Sequence, residues 1–350
     1  MSFIRPTFRH PNEPINNLGY SRKDYEGVTS TLCAGCGHDS ITSAIIQACF
    51  ELAIEPHRVA KISGIGCSSK TPTYFLGKSH GFNSVHGRMP SIATGANLAN
   101  KDLLYLGVSG DGDTASIGMG QFAHVIRRNL NLTYIVMNNG CYGLTKGQNS
   151  ATTDLGSAGK KGIPNTYPSI DLCELAISLG SHFVARSFSG DKEQLIPLIK
   201  AAIAHKGLSF IDVISPCVTF NNTSTSTKSF DHVREYAEST GLLDYIPYMQ
   251  EISNTYKEGE DHVLKLHDGS KLIIHKQHRD TEVSNAIQAK QNLAAKRESG
   301  HILTGLIYAD SRGQETHEIL NTCDAPLNTL TEKDLCPSTD VLETINASLR

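Results

Sequence analysis

The fold is set by two segments, LLYLGVSGDGDTASIG (103–118) and LTYIVMNNGCYGLTKGQ (132–148). Each begins as a short apolar strand and ends in a loop rich in glycine and in polar side chains, where Gly110-Asp111-Gly112 and Asn138-Asn139-Gly140 lie. A helix is expected over about 116–128, between the two strands. A strand, a helix and a second strand in this order predict parallel strands joined by a crossover.

The same alternation continues on both sides of these segments. Apolar residues at helical spacing from Asp39 to Leu52 predict an amphipathic helix, and further helices are expected at 90–99, 171–180 and 190–205. Short apolar runs predict strands at 59–65, 182–187 and 208–214. The predicted fold is therefore α/β, a buried parallel sheet with helices on both faces.

Composition excludes several other classes of protein. The chain has 350 residues, a formal net charge of -3 and a pI near 6.6, so it offers no basic field for nucleic acid. No window approaches the apolar length of a membrane span. The N-terminus lacks the apolar run of a secretory signal, and we therefore expect a cytoplasmic protein. Nine cysteines are too few for a disulfide scaffold and indicate core residues, metal ligands or redox centres.

The chain is predicted to have three parts. Residues 1–30 contain Pro6, Pro11 and Pro14 and are expected to form an extended arm, and residues 31–221 form the α/β domain. Residues 222–350 are expected to form a C-terminal accessory region. In it, VLKLHDGSKLII (263–274) predicts a hairpin, followed by a polar helix at about 281–297 and a strand at 302–308.

Asp111 and Asn139 are expected to reach one crevice, because ligands of such sheets bind outside the carboxyl ends of the strands. A carboxylate and an amide oxygen suit a hard divalent cation that also holds a diphosphate. Asp-Gly and Asn-Gly are, however, common turn formers, so each motif alone also fits a simple turn.

Four cysteines lie in three loops at predicted strand or helix ends: Cys33, Cys36, Cys67 and Cys217. Four thiolates suit a 4Fe–4S cluster, and zinc suits four sulfurs equally well. Cys49 and Cys173 fall on apolar helical faces and are interpreted as core residues.

The motif Gly110-Asp111-Gly112 followed by Asn138-Asn139 resembles the thiamine diphosphate signature, and its continuation to Gln148 resembles the β subunits of the 2-oxoacid:ferredoxin oxidoreductases. The resemblance runs from about Cys33 to Asn221. It implies that magnesium is bound by the side chains of Asp111 and Asn139 and by the backbone carbonyl of Cys141. The other cofactor contacts that it implies are Ile65, Gly66, Cys67, Ser68, His86, Gly112, Asp113, Gly143 and Leu144.

The resemblance also implies a 4Fe–4S cluster on Cys33, Cys36, Cys67 and Cys217. It implies a heterodimer with an α subunit that supplies the pyrimidine half of the thiamine site. The expected reaction is oxidative decarboxylation of a 2-oxoacid, favouring 2-oxoglutarate, with coenzyme A, and with electrons passed to ferredoxin. Lys146 is expected to meet the substrate carboxylate.

Two alternatives stay open from the residues. One is a non-oxidative thiamine-dependent decarboxylase subunit with a structural metal site, and the other is a metal-binding interaction module without catalytic activity.

Cys141 stands where the family more often has an aliphatic residue, and a thiol beside the metal is expected to be sensitive to oxidation.

Overall fold

The computed structural model describes residues 12–158, 162–241, 245, 261–265, 271–275 and 283–349. The strands are β1 Val59–Ser63, β2 His80–Asn83, β3 Leu104–Gly110, β4 Leu132–Asn138, β5 Cys141–Tyr142, β6 Gln148–Asn149, β7 Phe183–Phe188, β8 Leu208–Ile214, β9 Ala237–Ser239, β10 Asp261–Lys265, β11 Lys271–His275 and β12 Ile302–Ala309. The α-helices are α1 Gly37–Glu51, α2 Met89–Ala99, α3 Met119–Arg128, α4 Leu172–Ser178, α5 Lys192–Ala204, α6 Phe230–Tyr236, α7 Ala286–Glu298, α8 Thr316–Leu320, α9 Glu332–Leu335 and α10 Thr339–Ser348. Short 3₁₀ helices lie at Arg22–Tyr25, Pro56–Arg58, Ser68–Thr73 and Leu327–Thr329, and a π-helical turn at Gly112–Ile117.

One sheet of eight strands organises the described residues, in the order β2-β1-β3-β4-β8-β7-β12-β9. In this order the first six strands, β2-β1-β3-β4-β8-β7, run parallel to one another, whereas β12 runs antiparallel to β7. The predicted α/β fold is confirmed. Chain order reverses between β1 and β3, because β1 leads to β2 on one side and then to β3 on the other, and such a reversal opens a crevice at the carboxyl ends of the strands.

The core has two halves, one on each face of the sheet. On one face the ring of Tyr134 in β4 packs edge-on against Phe122 of α3 and Phe210 of β8, with centroids 5.7 and 6.0 Å apart. On the other face Ile135 packs among buried residues of α1 and α5. Because consecutive residues of β4 serve opposite faces, its apolar run is continuous, as a strand buried on both sides requires.

The C-terminal region is joined to the main sheet. Strands β9 and β12 extend it beyond β7, so this region covers what would otherwise be an open parallel edge. The predicted hairpin is present as the antiparallel pair β10 and β11, and its Asp268-Gly269 turn lies outside the described residues. The predicted helix and strand that follow correspond to α7 and β12.

The predicted N-terminal arm is in part folded against the domain. Residues 1–11 lie outside the described part, but Tyr25 is completely buried, and its hydroxyl accepts a hydrogen bond from Asn16 Nδ2 at 2.8 Å. The same Asn16 amide lies 3.0 Å from the carbonyl oxygen of Phe50 in α1. The buried ring of Tyr25 and its hydrogen-bonded hydroxyl therefore hold this segment against the domain. The prolines of the segment predicted only an extended arm. No described helix is both long and apolar enough to cross a membrane.

Candidate functional site

Four loops meet at the carboxyl ends of adjacent strands. Strands β1, β3, β4 and β8 are neighbours in the sheet, and they are followed by Gly64–Cys67, Asp111-Gly112, Asn139–Gly143 and Ser215–Cys217 respectively. The register aligns Gly110 of β3 with Met137 of β4, so Asp111 and Asn139 leave the sheet side by side. The strand order alone therefore brings the two signature motifs and two cysteine loops together.

Asp111 is a buried carboxylate held by hydroxyl groups. Ser150 Oγ lies 2.5 Å and Thr152 Oγ1 2.7 Å from its Oδ2, and the backbone N–H of Asn139 donates to its Oδ1 at 3.3 Å. Burial raises the pKa of Asp111, and these hydrogen bonds oppose the rise. Within the described residues no lysine or arginine pairs with this carboxylate, so a bound cation would relieve the cost of burying it.

The two asparagines have different environments. The Asn138 amide donates to Asp212 Oδ1 at 3.0 Å, and its carbonyl oxygen accepts from the Gly140 N–H, which fixes the turn. Asn139 instead lines the cleft, and its Oδ1 accepts from the Cys141 N–H at 3.1 Å. The geometry therefore leaves Asn139, beside Asp111, as the candidate metal ligand.

All twelve predicted cofactor and magnesium contacts line one open cleft of about 470 Å³. Its lining includes Ile65, Gly66, Cys67, Ser68, His86, Asp111, Gly112, Asp113, Asn139, Cys141, Gly143 and Leu144, together with His38, Gly110, Met137, Tyr142 and Thr145. Lys146 is not among these described lining residues. It lies in the following turn with its side chain exposed and a φ of 77°, so its contact with substrate stays a prediction.

The floor of the cleft depends on close backbone approaches. The Tyr142 hydroxyl donates to the carbonyl of Gly112 at 3.1 Å, and a Cβ on Gly112 would meet the Tyr142 ring at 2.4 Å. Asp113 is buried, and its Oδ1 accepts from the Gly87 N–H at 2.7 Å, which fixes the loop that carries His86. Asp113 therefore holds the loop of His86 in place, and its contact with the cofactor stays a prediction.

Two of the four predicted cluster cysteines, Cys67 and Cys217, lie together at one end of this cleft. A Cβ on Gly143 would lie 3.6 Å from Cys67 Sγ and 3.7 Å from Cys217 Sγ, so these two sulfurs flank a single point. The turn of Cys33 and Cys36 closes through a Cys36 N–H to Cys33 carbonyl bond of 3.0 Å. A Cβ on Gly35, within that turn, would lie 3.8 Å from Val218 Cγ1, next to Cys217.

The cysteines also influence one another electrostatically. Burial raises the pKa of Cys36 to about 12, with contributions from Cys217 and Cys67. Burial likewise raises the pKa of Cys67, and Cys217 and Cys33 add to the rise. Clustered thiols resist ionisation unless cations compensate them, which is what irons at each sulfur would do.

Among the described residues, no three His, Cys, Asp or Glu side chains converge on a point that could hold a single metal ion. That arrangement would be a site in which three such side chains bind one ion. The predicted magnesium site uses one carboxylate, an amide and a backbone carbonyl. In an iron–sulfur cluster the thiolates bind separate irons, so neither predicted site has that pattern.

Cys141 is a buried thiol beside both groups of residues. Its Sγ lies 3.5 Å from Asn139 Oδ1. The hydrogen bond with Cys217, followed by burial, raises the pKa of Cys141, so the thiol keeps its proton. Peroxide reacts with thiolates, and the expected oxidative sensitivity of Cys141 stays a prediction.

Sequence reasoning missed several residues that shape the site. Ser150 and Thr152 bind Asp111, the His38 Nδ1 lies 2.6 Å from Ser215 Oγ, and Asn221 Nδ2 donates to the Asn139 carbonyl at 2.8 Å. The only signal for the first two is the hydroxyl-rich run Ser150-Ala151-Thr152-Thr153 after the turn at Gln148. Hydroxyl runs are common in loops, so this signal is weak.

Three comparisons with known proteins agree with this geometry. Residues 64–213 match the family model "Thiamine pyrophosphate enzyme, C-terminal TPP binding domain". The chain is 43% identical over 235 residues to a 2-oxoacid:ferredoxin oxidoreductase subunit beta of Saccharolobus solfataricus, covering 67% of this chain and 74% of that protein. It is 38% identical over 239 residues to the 2-oxoglutarate synthase subunit KorB of Methanocaldococcus jannaschii, covering 67% and 86%.

The chain is also similar to a solved structure over nearly its whole length. It is similar, with a TM-score of 0.71 and 29% identity, to a 2-oxoglutarate:ferredoxin oxidoreductase from Magnetococcus marinus, and the match covers 94% of this chain and 96% of that one. The segments 103–118 and 132–148, and every cleft-lining residue except His38, lie within the residues that the family model matches. The chain belongs to the β subunits of the 2-oxoacid:ferredoxin oxidoreductase family.

Proposed function

We propose that the chain, with a partner α subunit, converts a 2-oxoacid and coenzyme A to acyl-CoA and carbon dioxide. The two electrons released pass through a 4Fe–4S cluster on this chain to two ferredoxin molecules. The preferred substrate is 2-oxoglutarate. This preference rests on the names of the relatives, which include 2-oxoglutarate synthase subunits and a 2-oxoglutarate:ferredoxin oxidoreductase with that substrate bound.

The residues of the cleft fit a magnesium-held diphosphate. Asp111 Oδ1 and Asn139 Oδ1 would bind the cation with the carbonyl of Cys141, which leaves its other positions to phosphate oxygens and water. Ser150 and Thr152 hold Asp111 Oδ2 and so fix which oxygen faces the metal. When bound, thiamine diphosphate supplies the carbon nucleophile and the electron sink for decarboxylation.

The four cysteines fit a cluster better than they fit isolated thiols. The hydrogen bond from Cys141, together with the backbone N–H groups of residues 219–221, lowers the pKa of Cys217 to about 6 against the effect of burial. Amide and thiol donors around a sulfur favour its anionic, metal-bound form. Cys36 receives a similar bond from the His38 N–H.

One observation carries the oxidative assignment. A Cβ added to Gly143 would lie 3.6 Å from Cys67 Sγ and 3.7 Å from Cys217 Sγ. The same Cβ would lie only 3.7 Å from Asn139 Nδ2. Two candidate cluster ligands, Cys67 and Cys217, and the candidate magnesium ligand Asn139 therefore surround Gly143. Electrons left by decarboxylation would have a short path to the cluster, whereas a non-oxidative decarboxylase needs no electron acceptor at this position.

The mouth of the cleft supports a partner subunit. Three apolar side chains at or beside the rim of the cleft are exposed: Leu144 by 49%, Val85 by 69% and Ile117 by 44%. Exposed apolar side chains around a cofactor cleft are typical of a surface that another subunit covers. That subunit would supply the contacts to the pyrimidine ring and the remainder of the substrate pocket.

The test uses the co-expressed α and β complex, purified without oxygen. We expect it to contain iron and acid-labile sulfide, and to reduce ferredoxin with 2-oxoglutarate and coenzyme A faster than with pyruvate. Cys217→Ser should lose iron and ferredoxin reduction, whereas Cys323→Ser, at an exposed thiol, should retain both. Bound zinc in place of iron, with decarboxylation that needs no acceptor, would instead establish the non-oxidative alternative.

A further inference from the structure

One side chain joins the loop of a candidate cluster ligand to the loop of the candidate magnesium ligand. Asn221 ends the turn that begins at Cys217, and its N–H donates to the carbonyl of Cys217 at 3.0 Å. Its side-chain Nδ2 donates to the backbone carbonyl of Asn139 at 2.8 Å. Asn221 is only 2% exposed, so its amide is held in this position by the protein and not by solvent.

The turn of the asparagine motif is shaped to receive this amide. Gly140 has a φ of 66°, and a Cβ there would lie 2.7 Å from Asn221 Nδ2, so a glycine is needed for the approach. The carbonyl of Gly140 also accepts from Thr153 Oγ1 at 2.7 Å. The turn is therefore held by the loop 150–153 on one side and by the loop of Cys217 on the other.

We propose that Asn221 is the residue through which the cluster loop positions the magnesium ligand, so that the cluster and the cofactor favour each other's binding. This inference rests on the proposed function, because it needs a cluster on Cys217 and a cation on Asn139. A cluster bound to Cys217 fixes the loop that carries Asn221. The amide of Asn221 then holds the backbone from which the Asn139 side chain projects.

The coupling follows from the shared backbone. Ordering it costs conformational entropy, and the group that binds second finds it already ordered. The effect is reciprocal, so a bound cofactor would also favour retention of the cluster. Asn221 is not among the described residues that line the cleft, so its effect on the cofactor must pass through Asn139. It is a positioning residue rather than a catalytic one.

The test is a double-mutant cycle on the intact αβ complex, in which calorimetric titration gives the affinity for magnesium and thiamine diphosphate. Wild type, Asn221→Ala, Cys217→Ser and the double variant are compared, and the iron content of each is measured. Asn97→Ala is the matched control. Asn97 is 1% exposed and also donates its amide to a backbone carbonyl, that of Asn131 at 3.4 Å, at the opposite end of β4.

We expect Asn221→Ala and Cys217→Ser each to lower the cofactor affinity by about tenfold, and the double variant to bind no more weakly than either single variant. Asn97→Ala should bind as wild type does. Wild-type affinity in Asn221→Ala, or losses that multiply in the double variant, would overturn the coupling alone.

Two substitutes keep the test decisive if a variant does not assemble. Asn221→Ser replaces Asn221→Ala, and a wild-type complex stripped of iron by a chelator replaces Cys217→Ser, with the same expected outcomes. A wild-type complex that is purified without iron, or that does not bind magnesium and thiamine diphosphate, would overturn the proposed function first.

Discussion

Ser150 donates a hydrogen bond of 2.5 Å to Asp111 Oδ2, although 39 residues separate the two in the sequence. The bond joins the loop after β6 to the carboxyl end of β3. Thr152 binds the same oxygen at 2.7 Å, so Asp111 has one oxygen fixed by hydroxyl groups and the other beside Asn139. A short loop thus orients the carboxylate on which the candidate magnesium site depends.

Removing these hydroxyls should weaken cofactor binding. We expect Ser150→Ala and Thr152→Ala each to reduce the affinity for magnesium and thiamine diphosphate by about 10–100-fold, as is common for residues that orient a metal ligand. Calorimetric titration of the complex measures this effect. Thr344→Ala, at an exposed hydroxyl of α10, is the matched control, and equal affinity in all variants would contradict the assignment.

Gly87 should tolerate no side chain. Its φ is 67°, and a Cβ there would lie 2.8 Å from the Cα of Gly118, so Gly87→Ala combines backbone strain with a clash. We expect a loss of unfolding free energy of about 1–3 kcal/mol from the strain alone, and more from the clash. Gly156→Ala is the control, because its φ is 77° with no atom within 4 Å of the added Cβ. Similar losses in both variants, measured by chemical denaturation, would show that the approach of Gly118 is unimportant.

Lys61 should make stability rise with pH. This buried lysine donates to the carbonyls of Pro72, Phe75 and Leu76, and burial lowers its pKa to about 8 from the ordinary 10.5. Between these two values the unfolded chain binds more protons than the folded one, so the free energy of unfolding increases as pH rises through this window.

We expect wild type to gain roughly 3 kcal/mol relative to Lys61→Met from about pH 8 to pH 10.5, from the size of the pKa shift. Denaturation curves of both proteins across that window give the difference. A constant difference would mean that Lys61 titrates normally in the folded chain.

Cys217 should be the reactive thiol when the cluster is absent. Its pKa is lowered to about 6, chiefly by the hydrogen bond from Cys141, whereas that of Cys141 is raised. We expect iodoacetamide at about pH 7 to label Cys217 well before Cys141, and Cys141→Val to slow labelling of Cys217 by about tenfold. Peptide mass spectrometry resolves the two sites. Faster labelling of Cys141, or an unchanged Cys217 rate in the variant, would contradict this description.

The sequence predicted the features that follow from strand periodicity. Asp111 and Asn139 each end an apolar strand, and parallel strands place such ends at one edge, so their proximity was predictable. The strands and helices of the α/β domain lie close to their predicted bounds. The helix expected from 116 is the main difference, because a π-helical turn over Gly112–Ile117 precedes α3. Such turns are common near functional sites and have no distinct apolar pattern.

Other features depend on strand order, which local patterns do not encode. Cys67 follows β1 and Cys217 follows β8, and the loops that carry them meet because the crossovers put these strands in the order β1-β3-β4-β8. The addition of β12 beside β7 likewise depends on which sheet edge the C-terminal region covers. Strand β2, His80–Asn83, has one large apolar side chain, Phe82, and so gave no periodic signal.

The proposed function requires that one cleft hold a magnesium-bound thiamine diphosphate beside a cluster on Cys33, Cys36, Cys67 and Cys217. The most direct measurement is X-ray diffraction at the iron edge from crystals of the oxygen-free αβ complex with magnesium and thiamine diphosphate. We expect strong iron anomalous density enclosed by the four sulfurs, and diphosphate density over Asp111 and Asn139. Absence of iron between the sulfurs, or cofactor density away from those two side chains, would contradict the claim.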